Sequence, residues 1–67
     1  MPVTEIVLAG GERLRVDGDA RAVESAILSA ARGSLMELAW MIEAETGGRI
    51  GINPDHVALV RDLDASA

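Results

Sequence analysis

Few residues in this 67-residue chain have the types and spacing that chemistry requires. His56 is the single histidine and directly follows Asp55, so the two could act as a general-base pair, most simply in a site at a subunit interface. No serine or cysteine in a nucleophile's setting accompanies them, and a histidine in a turn is more often a surface residue. Asp17-Gly18-Asp19 matches the opening of a calcium loop, in which alternate oxygens face the ion. The twelfth position of such a loop would be Leu28, so capping of a following helix explains both aspartates more economically. Gly10-Gly11 and Gly47-Gly48 lack the Lys and Ser/Thr of a phosphate loop, and neither opens a helix; they read as hairpin turns. Glu37, Glu43 and Glu45 would form an acidic site only if Glu37 and Glu43 faced inward, and paired catalytic carboxylates need a cleft. A solvated edge or turn suits them better; an inward Glu37 would meet an arginine across a subunit boundary. With no cysteine and one histidine, a zinc site would need several carboxylates or a second subunit. These residues name no catalytic group, cofactor or metal.

The charge balance narrows the partners. Six arginines stand against eleven acids, there is no lysine, and the net charge is −5. Binding nucleic acid takes a patch of cations that neutralises several phosphates. Here the arginines are scattered singly, with only Arg13 and Arg15 two apart on one strand face, so no nucleic-acid partner is expected. Val3–Ala9 and Leu35–Ala44 are the longest apolar stretches; both carry glutamates and fall short of the ~20 residues of a membrane span. No export signal is evident, and a cytoplasmic location away from membranes is the expectation. Arginine without lysine, with abundant Ala and Gly, matches the residue usage of a high-GC bacterium.

The elements that must position these residues follow from periodicity. Val3–Leu8 is rich in β-branched residues, Ala9–Glu12 is a glycine turn, and Arg13–Val16 alternates polar and apolar, giving a hairpin. Asp17 or Asp19 then caps a helix, Asp19–Arg32, with Val23, Ala26, Ile27 and Ala30 on one face. Arg32 suits the helix C-terminus and Gly33 the C′ position. Ser34–Glu45 is ambiguous: its residues are good helix formers and Ser34 with Glu37 spells a capping box, yet Leu35–Ile42 is apolar nearly all round. A domain this small could not bury such a helix. As a strand the segment places Met36, Leu38, Trp40 and Ile42 on one face, and Leu35, Ala39 and Met41 with Glu37 on the other. Thr46-Gly47-Gly48 followed by Arg49–Ile52 reads as its turn and return strand, which favours strand over helix. Asn53–His56 breaks that strand at Pro54, and Val57–Arg61 is a last strand. The expected fold is a single α+β domain over residues 1–62, a small bent, mostly antiparallel sheet of order β-β-α-β-β-β with one helix packed on it, and a polar tail over 63–67.

Residues Gly47–Val60 (GGRIGINPDHVALV) resemble a module of the small bacterial FlbD-like, Sm-like β-proteins, in which two strands about a glycine turn end in an Asn, followed by a third strand. In that family the module opens the chain, whereas here a hairpin and helix precede it, as in a permuted order. The resemblance implies a strongly bent sheet and a tendency to form oligomers, and it implies no catalytic residue.

The 49% apolar fraction contains a single aromatic, Trp40. Trp, Met and Arg are enriched at protein interfaces. Leu35, Met36, Leu38, Trp40, Met41 and Ile42 are therefore the expected interface of a homo-oligomer, and the expected role is a non-catalytic interaction or assembly module. Two alternatives are an acidic regulator that inhibits a nucleic-acid-binding protein, and a small-molecule-binding protein with Asp55 and His56 at a subunit interface.

Overall fold

The computed structural model describes residues 2–33 and 37–63. Among these the fold is α+β, with one helix and five antiparallel strands. Strands β1 (Val3–Leu8) and β2 (Arg13–Asp17) form the first hairpin, in register Val3↔Asp17 through Val7↔Arg13. The turn between them needs Gly11 at φ +92°, a conformation L side chains rarely adopt. Helix α1 (Ala20–Arg32) follows, then strands β3 (Ala39–Ile42) and β4 (Arg49–Ile52), a 3-10 turn (Pro54–His56), and strand β5 (Val57–Asp62).

Strand β1 is the middle of a three-stranded sheet ordered β2-β1-β5, while β3 and β4 form a separate two-stranded sheet. Among the described residues one antiparallel bridge, Val16↔Glu43, and the Ala44 N–H donating to the Arg15 carbonyl at 2.8 Å join the two. The five strands expected in one bent sheet are thus divided. The reason lies in α1, which enters between β2 and β3 in the chain and packs against β3, so those strands meet only at one corner. Pairing of β1 with β5 shifts register between Val7↔Leu59 and Leu8↔Val57, leaving Ala58 as an extra residue that bends β5. The Leu63 N–H donates to the Val3 carbonyl at 3.1 Å, so residue 63 of the expected tail is tied to β1; residues 64–67 lie outside the described residues.

The core is aliphatic: Ile6, Val16, Val23, Ala30, Ala39, Met41 and Ile52 are buried, with Ala26, Ile27 and Val60 among the half-buried residues packed against them. The helix face expected from its period is the one that faces this core. Burial of a side chain such as Ile6 contributes roughly 2 kcal/mol. Asp19 is the N-cap, its Oδ1 accepting from the Ala22 N–H at 2.8 Å. Gly33 closes the helix with an extended backbone, φ −79° and ψ −161°, and not the left-handed C′ conformation that a glycine there suggests.

Candidate functional site

Segment 39–42 is a strand, and its alternation is what exposes the candidate site. Ala39 and Met41 point into the core, while Trp40 is 55% and Ile42 38% exposed. The chain's single aromatic side chain is thus displayed at the surface. Leu38 is half-buried beside them. Of the expected interface, Leu35 and Met36 lie outside the described residues, and Met41 belongs to the core.

Strand β4 fixes the indole. Trp40 lies opposite Gly51 and Ile42 opposite Arg49. A Cβ at position 51 would come within 2.9 Å of Leu38 Cδ1 and 3.1 Å of Trp40 Cζ3 and Cη2, so both side chains occupy the space above bare backbone. The Arg49 guanidinium stands 4.7 Å from the centroid of the ring, in cation–π range. The hairpin is closed by the Glu43 N–H donating to the Gly48 carbonyl at 2.8 Å and by the Thr46 hydroxyl donating to Glu43 Oε1 at 2.9 Å. On its other side β3 borders an open groove whose lining is mainly apolar: Ala22, Val23 and Ala26 of α1 face Trp40, Met41 and Ile42, with Asp17 at the end of β2. The arrangement can bind an apolar surface.

The other residues of chemical interest are not gathered there. Asp55 and His56 are exposed in the 3-10 turn, where Asn53 Oδ1 accepts from the Asp55 N–H at 2.9 Å and the His56 carbonyl accepts from the Ala9 N–H at 2.7 Å. Their backbone organises the turn, no hydrogen bond joins their side chains among the described residues, and neither lines the groove. Glu37 and Glu45 are exposed and Glu43 is half-buried, engaged by Thr46. Among the described residues no group of three or more His, Asp or Glu side chains could hold a metal ion, and no helix is long and apolar enough to cross a membrane.

Two features escape a reading by local pattern. Gly51 and Arg49 belong to the Trp40 site; a glycine inside a strand was the available signal, since it marks close approach by a neighbour. The second is Glu5, 6% exposed on the central strand, with Arg15 and Arg61 as its cross-strand neighbours on either side. Its Oε1 pairs with Arg61 Nη1 at 3.2 Å across 56 residues of chain, which no sequence window spans.

No protein-family model, curated protein or solved structure matches this chain.

Proposed function

We propose that this chain is a non-catalytic assembly module that self-associates through the outward face of the β3–β4 hairpin, with Trp40 and Ile42 at the centre of the contact. The observation that carries this reading is an exposed tryptophan held in place, by the bare backbone at Gly51 and by Arg49, next to an apolar groove. Interface centres favour such rigid aromatic anchors, because little side-chain entropy is lost when a partner covers them. Size supports the same reading. Below ~70–80 residues one core supplies little stability, and association adds apolar burial that the isolated chain lacks. The likeness of residues 47–60 to the FlbD-like module, with its tendency to oligomers, agrees with it.

Sedimentation equilibrium tests the reading. The native chain is expected above its 7.0 kDa monomer mass, and the double variant Leu38→Ser, Trp40→Ala is expected to sediment as a monomer with its far-ultraviolet dichroism retained. A native chain that stays monomeric across the accessible concentration range, or a double variant of unchanged mass, would overturn it.

A further inference from the structure

Resting on that reading, we propose that the assembly is a two-fold dimer whose axis runs along β3, in which Asp17 of each protomer pairs with Arg49 of the other. Register and the groove place three outward residues in one row. Arg49 lies opposite Ile42 on the β4 side. On the β2 side the isolated Val16↔Glu43 bridge adjoins both Asp17 and Ile42 in sequence, and Asp17 and Ile42 both line the groove. Ile42 therefore stands between a base on the paired strand and an acid across the groove. Both charges are exposed and available. Among the described residues Asp17 has no ion-pair partner, and the Arg49 guanidinium meets only the Trp40 ring.

When two copies of one face meet, the two-fold axis must lie in the plane between them. An axis across the strands would stack like charge on like, Asp17 over Asp17 and Arg49 over Arg49. An axis along β3 exchanges the two ends of the row: each Asp17 faces the partner's Arg49, twice per dimer. Ile42 then meets Ile42 and Trp40 meets Trp40 on the axis. The row is self-complementary in the second arrangement alone, and this selects it. Charged rims of this kind set register and orientation while the apolar centre supplies the burial.

The test is a charge exchange read by sedimentation equilibrium on the full chain. Asp17→Arg and Arg49→Asp, each alone, are expected to weaken dimerisation at least about tenfold by placing like charges together. Mixed in equal amounts, the two variants recreate both opposite-charge contacts, and the Asp17→Arg, Arg49→Asp double variant does so with the signs reversed. Both are expected to return most of the lost affinity. Far-ultraviolet dichroism verifies that each exposed substitution leaves the fold intact. Single variants that dimerise as tightly as the native chain, or an equimolar mixture no tighter than its components, would overturn this pairing while leaving self-association through Trp40 standing. A native chain that never dimerises would overturn both.

Discussion

Thr4 sits fully buried on β1, where an aliphatic side chain would fill the same space, and its hydroxyl donates to the Gly18 carbonyl at 2.8 Å. Gly18 turns the chain from β2 into α1 at φ +119°, and its own N–H donates to the Pro2 carbonyl at 3.0 Å. The hydroxyl thus holds a backbone conformation that glycine tolerates and other residues rarely adopt. Thr4→Val keeps the shape and removes the donor, so it is expected to cost about 1–2 kcal/mol, while Thr4→Ser retains the hydroxyl bond. For a chain of this size that corresponds to a fall in Tm of roughly 4–15 °C, measured by thermal melts followed in the far ultraviolet. An unchanged melting temperature would show that water replaces the hydroxyl at no cost.

At the scale of elements, α1 and β3 illustrate opposite relations between pattern and structure. The helix follows its own sequence: Val23, Ala26, Ile27 and Ala30 recur at helical spacing, Asp19 caps the start and Arg32 lies in the last turn. Its stability therefore responds to a local change. Asp19→Ala should cost about 1 kcal/mol through the lost bond to the Ala22 N–H, and Asp19→Asn much less; urea titration of both variants distinguishes a cap from a surface charge. Strand β3 is decided from outside. Ala39 and Met41 are good helix formers, but four register pairs with β4 and a glycine that accommodates the indole make extended backbone the better solution. Propensity differences of a few tenths of a kcal/mol per residue cannot resist a complete hairpin ladder packed on a core.

At the scale of the whole molecule, the core among the described residues covers one side of the β3–β4 hairpin. If association adds the missing burial, stability becomes a function of concentration. Thermal melts over a hundredfold range of protein concentration are expected to show Tm rising by roughly 5–10 °C, and the Leu38→Ser, Trp40→Ala variant is expected to lose that dependence. A native Tm independent of concentration would mean that the exposed face contributes nothing to folding. The sequence by itself determined what depends on neighbours along the chain. The two hairpins, the capped helix, the broken strand at Pro54 and the apolar excess at 38–42 all follow from spacing of a few residues. Tertiary structure alone decided what depends on residues brought together from afar. It divided the strands into two sheets, because α1 lies between β2 and β3, and it set Glu5 beside Arg61. It also split β3 into a buried face with Met41 and an exposed one with Trp40, because the core of so short a chain has depth for one side of that strand and no more.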